Sequence, residues 1–132
     1  MKNQVKIATL PYLTLEYKKP IVYLNFNKSV LIDKKMLVEM LEVRNKLVCH
    51  EKHLLLTTYN AVVDFTKEAR ELAAASEFAQ TSIAHAVVIK RLGQRLVTSN
   101  YKQIEKPHYP LEIFSERGKA LKWLSGFIRE MD

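Results

Sequence analysis

Apolar residues along this chain fall into two kinds of stretch, short runs rich in branched and aromatic side chains and longer stretches with helical spacing. The two kinds alternate. Tyr12-Leu13-Thr14-Leu15-Glu16-Tyr17 is a run of the first kind and predicts a strand, extended backwards through Lys6 to Leu10 with Pro11 at an edge or bulge position. Lys18-Lys19-Pro20 reads as a short turn and Ile21 to Phe26 as the next strand, so the chain opens on an antiparallel hairpin. Asp33 is placed to cap a helix, because its carboxylate can accept from the free N–H groups of a first turn. Leu37, Met40, Leu41, Leu47 and Val48 then recur at helical spacing, interrupted by Arg44, which predicts an amphipathic helix over 34–48.

His53 to Thr57 is a nearly continuous apolar run of the kind found in strands covered on both faces. Thr58 to Phe65 reads as a loop, and Thr66 as the cap of a helix whose inner stripe is Ala69, Leu72, Ala73, Ser76 and Phe78 or Ala79. Ile83 to Ile89 is another core-type strand. Leu92, Leu96, Val97, Tyr101 and Ile104 continue with helical spacing, and Lys106-Pro107 ends that helix. Leu111 to Phe114 is a short last strand. Ser115 and Glu116 suit the start of a final helix with Ala120, Leu121, Leu124, Phe127 and Ile128 on its apolar stripe. The order is β-β-α-β-α-β-α-β-α, an α/β class with a mixed, mostly parallel sheet of about five strands and about four helices.

Composition narrows the function classes. At 132 residues, 1–132 is expected to be a single domain. The charge is +7, from 21 basic and 14 acidic side chains, spread in pairs such as Lys18-Lys19, Lys34-Lys35 and Lys90-Arg91. One cysteine, Cys49, excludes an internal disulfide and any metal site built on several thiolates, and is read as a small, partly buried apolar residue. No apolar run approaches the ~20 residues of a membrane span, and no secretory signal is visible, so a cytoplasmic protein is expected. His50, His53, His85 and His108 lack helical metal-site spacing, and His85 reads as a hydrogen-bonded core residue. Nucleophile-elbow, phosphate-loop and dinucleotide motifs are missing, so no cofactor and no catalytic residue is assigned.

The Asp64-Phe65-Thr66 helix entry, the stretch Ala84 to Tyr101, and the ending Pro107-His108-Tyr109-Pro110, Phe114 and Ala120-Leu121-Lys122-Trp123-Leu124 together resemble the STAS/SEC14-like, anti-sigma-factor-antagonist-like family of small bacterial proteins. The resemblance covers nearly the whole chain. It implies a STAS-like (SpoIIAA-like) fold, with a mixed sheet opened by an N-terminal hairpin and helices mainly on one face. It also implies a noncatalytic module that acts on a protein partner or as a homodimer. Family members with a phosphoswitch carry Asp-Ser-Ser-Gly at the helix entry. Aligning on Asp64 puts Phe65, which has no hydroxyl, at the phosphorylated position, with Thr66 beside it and Lys67 next.

Three places are then expected to carry function. Tyr59, Asn60, Asp64 and Thr66 follow the central strand, where ligands gather in open α/β sheets and where a phosphate on Thr66 would meet a helix N-terminus. SEC14-like relatives imply a small hydrophobic or lipid ligand between sheet and helices, near Tyr59, Phe65 and Phe78. Lys90, Arg91, Arg95 and Lys102 form the densest basic stretch and could meet an anion, but no groove-reading or base-stacking pattern accompanies them, so nucleic acid is the least expected partner. Tyr12, Tyr17 and Tyr23 are expected to contribute to an exposed contact on an open sheet face.

Overall fold

The computed structural model of the chain describes residues 5–74, 81–89 and 109–131. Eight strands and three α-helices occur among them: β1 (Val5–Leu10), β2 (Leu13–Lys18), β3 (Ile21–Phe26), β4 (Val30–Ile32), α1 (Lys34–Val48), β5 (His53–Tyr59), β6 (Val63–Phe65), α2 (Lys67–Ala74), β7 (Ser82–Ile89), β8 (Leu111–Phe114) and α3 (Arg117–Ile128). The main sheet has the order β1-β2-β3-β5-β7-β8, and β4 and β6 form a separate two-stranded sheet. β1, β2 and β3 are antiparallel, whereas β3, β5, β7 and β8 run parallel. This is the expected mixed α/β sheet with one strand more than the sequence pattern suggests. Pro11 and Tyr12 close a tight turn, with Leu10 paired to Leu13, so the expected backward extension folds into a strand of its own. Proline cannot donate to the ladder, which makes a turn the natural place for it.

Alternate residues divide the sheet into two faces. On the first, Leu13, Leu15, Val22, Phe26 and Leu55 pack with Leu37, Met40 and Val48 of α1 and Ala69 of α2. On the second, Ile21, Leu54, Leu56, Ala84, Ala86 and Val88 pack with Ala120 and Leu124 of α3. Among the described helices, α1 and α2 thus lie on the first face and α3 on the second. α3 follows the last strand and crosses under β7, where alanines leave room for it.

Local chemistry fixes the helix starts. Asp33 accepts from the Met36 N–H at 2.8 Å, and Thr66 accepts from the Ala69 N–H at 3.1 Å. α3 differs from expectation: Glu116, not Ser115, is its N-cap and makes no side-chain cap bond, though Glu116 meets Lys119 at 3.4 Å. The expected loop from Thr58 to Phe65 shrinks to 60–62, because β5 runs on to Tyr59 and Val63–Phe65 pairs with Val30–Ile32. Cys49 is exposed rather than buried. It ends α1 with φ 51°, and the following His50 is also left-handed at φ 59°. The expected helix over 92–106, and with it Lys90, Arg91, Arg95, Lys102 and Phe78, lies outside the described residues.

Candidate functional site: a cavity under two helices

Between the first sheet face and α1 and α2 lies a cavity of about 120 Å³. Its floor comes from alternate residues of four neighbouring strands: Leu24 and Phe26 of β3, Leu55, Thr57 and Tyr59 of β5, His85 and Val87 of β7, and Leu111 of β8. α1 contributes Leu37, Met40, Leu41 and Arg44, spaced as one helical stripe. Phe65, Arg70, Ala73 and Tyr109 complete the lining. Most of the wall is apolar, and Phe26 stacks on Tyr59 with ring centroids 5.1 Å apart and planes 12° apart. The position, toward the carboxyl ends of β3 and β5, is where open parallel sheets hold their ligands.

The polar groups in this wall are ordered. Arg44 is 6% exposed, and Nη1 reaches the Ser82 hydroxyl at 3.5 Å while Nη2 donates to Asn45 Oδ1 at 3.2 Å. His53, fully buried, donates from Nδ1 to the Glu51 carbonyl at 2.9 Å. That bond puts its proton on Nδ1, so Nε2 accepts from the Ser82 hydroxyl at 3.4 Å. The Ser82 oxygen is thus the acceptor for Arg44, and a directed chain runs from Arg44 through Ser82 and His53 to a backbone carbonyl. A second pair, Thr57 Oγ1 and His85 Nε2, is 2.7 Å apart. Arg70 donates to the Phe65 carbonyl at 2.7 Å, tying α2 to the end of β6.

Burial sets the charge states. His85 is pushed down to about 3, by desolvation first and then by the charges of Arg44 and His53. His53 falls to about 4 through desolvation, with Arg44 adding to the effect and its bond to Glu51 opposing it. Both are neutral at pH 7. Desolvation also raises the Tyr59 and Tyr109 hydroxyls above the ordinary tyrosine range. Arg44 is lowered by desolvation, but arginine starts so high that it stays charged.

Of the four loop residues expected to act together, only Tyr59 reaches this cavity. Asn60 is exposed and donates to Asn25 Oδ1 at 2.5 Å, and Asp64 is exposed and accepts from the Phe65 N–H at 2.8 Å. Thr66 is spent on its capping bond. Phe65 does line the cavity, as the ligand reading expects. Tyr12 and Tyr17 are 8% and 4% exposed and packed under α1, so they are not part of an open face, whereas Tyr23 lies on the opposite side under Arg117 and Lys18, 5.0 and 5.8 Å from its ring centre. The sequence pattern does not single out Arg44, Thr57 or His85 as site residues, yet all three line the cavity. The available signal was Arg44 itself, a cation three residues after Leu41 and four after Met40 on an apolar stripe. No group of three or more His, Cys, Asp or Glu fit for a metal ion occurs among the described residues, and no helix there is long and apolar enough to cross a membrane.

A family model described as Domain of unknown function (DUF7793) matches residues 15–128, so the chain belongs to that family. No curated protein matches it. Among solved structures, the chain is similar to an uncharacterized protein of the DUF3478 family with a SpoIIAA-like fold from Shewanella loihica PV-4. The TM-score is 0.56 at 12% identity, covering 94% of this chain and 98% of that one. At that identity the likeness shows the fold, and the fold is SpoIIAA-like.

Proposed function

From that membership and the geometry under α1 and α2, we propose that this chain is a noncatalytic binding protein that holds a small, largely apolar ligand between its sheet and those helices. The observation that carries this reading is the 120 Å³ cavity itself, walled by Leu24, Phe26, Leu37, Met40, Leu55 and Val87. Interiors normally close such spaces, because each lost contact costs stability. A cavity of roughly 150 Å³ is enough to take benzene. The space therefore suits a compact molecule better than an acyl chain. Toluene is a suitable probe. Saturation-transfer NMR should show toluene in contact with the wild-type protein, and Ala73→Leu, which adds bulk to the wall, should abolish the signal. No transfer in wild type at millimolar toluene would refute the reading.

A second reading, self-association as a homodimer, rests on a different place. β1 ends the order of the main sheet, and its Val5 and Ile7 are 49% and 62% exposed on the side that α3 leaves uncovered at β1 and β2. Exposed edge strands with apolar side chains favour pairing with another chain. Light scattering over a concentration series should report a dimer, and Ile7→Lys should return it to monomer. A monomer at every concentration would dismiss this second reading.

A further inference from the structure

We infer that the ligand is an uncharged molecule with a compact apolar body and a carbonyl oxygen, held by the hydroxyls of Tyr59 and Tyr109. This rests on the ligand-binding reading above and names the class of molecule for the same site.

The polar groups of the wall divide into those already engaged and those left over. The Thr57 hydroxyl and His85 Nε2 bond to each other. His85 Nδ1 is sealed in the wall, out of a ligand's reach. Arg44 is engaged with Ser82 and Asn45, and Arg70 with the Phe65 carbonyl, so neither guanidinium is free. Tyr59 and Tyr109 remain, and neither hydroxyl has a hydrogen-bond partner among the described residues.

Both tyrosines lie deep in the protein, yet each is only half-buried, as happens where the accessible part of a side chain is the wall of a cavity. The Tyr17 hydroxyl, on the same sheet face, is by contrast sealed off. Packing holds the two rings in place. Tyr59 stacks on Phe26, Tyr109 tilts against His85 with 6.0 Å between ring centres, and both rest on Val87, Ile89 and Leu111. One small ligand in the cavity therefore meets both.

Charge and hydrogen-bond sense then select the functional group. Burial raises both hydroxyls above the ordinary tyrosine range, so at pH 7 each is an O–H donor. At Tyr109 desolvation outweighs the opposing pull of the Arg44 charge. Surroundings that resist a phenolate also resist a carboxylate in the same place. A carbonyl oxygen is uncharged, accepts through two lone pairs and brings no donor that needs a partner of its own. A hydrocarbon in the same space leaves both O–H groups dry and unpaired, which is the costly arrangement. The cavity of about 120 Å³ holds the body to about the bulk of one six-membered ring.

The test compares cyclohexanone with its hydrocarbon isostere methylenecyclohexane and with cyclohexanecarboxylate, by titration calorimetry and saturation-transfer NMR at pH 7. Tyr59→Phe and Tyr109→Phe should each weaken cyclohexanone about three- to tenfold, the scale of one neutral hydrogen bond, and leave methylenecyclohexane unchanged. The infrared carbonyl stretch of bound cyclohexanone should lie below its value in hexane and return toward it in the double variant. If methylenecyclohexane binds and neither substitution weakens cyclohexanone, the carbonyl inference is overturned and the cavity reading survives. Tighter binding of cyclohexanecarboxylate than of cyclohexanone would overturn the uncharged ligand. If none of the three binds, both readings fall. Should a variant lose its cooperative thermal unfolding, the carbonyl stretch in the wild-type protein decides alone, and a value equal to that in hexane overturns the inference.

Discussion

On β7, Ala84, Ala86 and Val88 face α3, while His85, Val87 and Ile89 face the other way. The side under α3 is dry: small β7 side chains bring Ala120 and Leu124 against Leu54 and Leu56, and all six of Leu54, Leu56, Ala84, Ala86, Ala120 and Leu124 are fully buried. Under α1 and α2 the same strands contribute Thr57, Tyr59 and His85, and the helix above them contributes Arg44. One face holds the sheet together, and the other leaves space and places hydrogen-bonding groups in it. Period-two alternation lets a single strand serve both purposes without compromise between them.

The sharpest way to break this contrast is to open a void on the dry side. Leu124→Ala should lower stability by about 2–5 kcal/mol in urea unfolding, because a fully buried leucine on a well-packed face leaves a cavity that cannot collapse. Next comes the polar side. Thr57→Val keeps the shape but strips His85 Nε2 of its partner, and should cost about 1–3 kcal/mol.

Acid should separate the faces as well. His53 and His85 titrate near 4 and 3 when folded, against an ordinary 6.5 when unfolded. The unfolded chain therefore takes up protons first as pH falls. Stability from these two groups is fully present above about pH 6.5 and is lost progressively down to pH 3–4. Unfolding midpoints measured from pH 7 to 4 should fall, and His53→Gln should flatten the slope. The smallest effect belongs to Thr66→Ala, expected to cost about 1 kcal/mol as an ordinary cap.

The dry side was easier to read from sequence than the cavity side. Continuous apolar runs at His53–Thr57 and Ile83–Ile89 announce buried strands, and Asp33, Thr66 and the stripe Ala120, Leu121, Leu124 announce helices. Those signals are local, and the structure agrees with them. Arg44 reads locally as a break in an apolar stripe, yet the structure turns it inward, where Ser82, 38 residues away, receives it. Thr57 and His85 are likewise 28 residues apart, and only the pairing of β5 with β7 brings them together. Tyr17 misleads for the same reason, since which face a strand residue takes depends on register against its neighbours, and Tyr12 falls in the turn before β2. β4 and β6 are three residues each, too short to leave a periodic signal.

That short pair nevertheless governs how the two helices are mounted. β4 leads directly into α1 through Asp33, and β6 into α2 through Thr66, whose N–H donates to the Ile32 carbonyl at 2.9 Å. Both beams of the roof thus rest on a single bracket, with Val30, Leu31 and Ile32 lying alongside Val63, Asp64 and Phe65. A change that lifts one helix from the sheet is transmitted to the other at its root, so the height of the space beneath them behaves as one adjustable dimension rather than two.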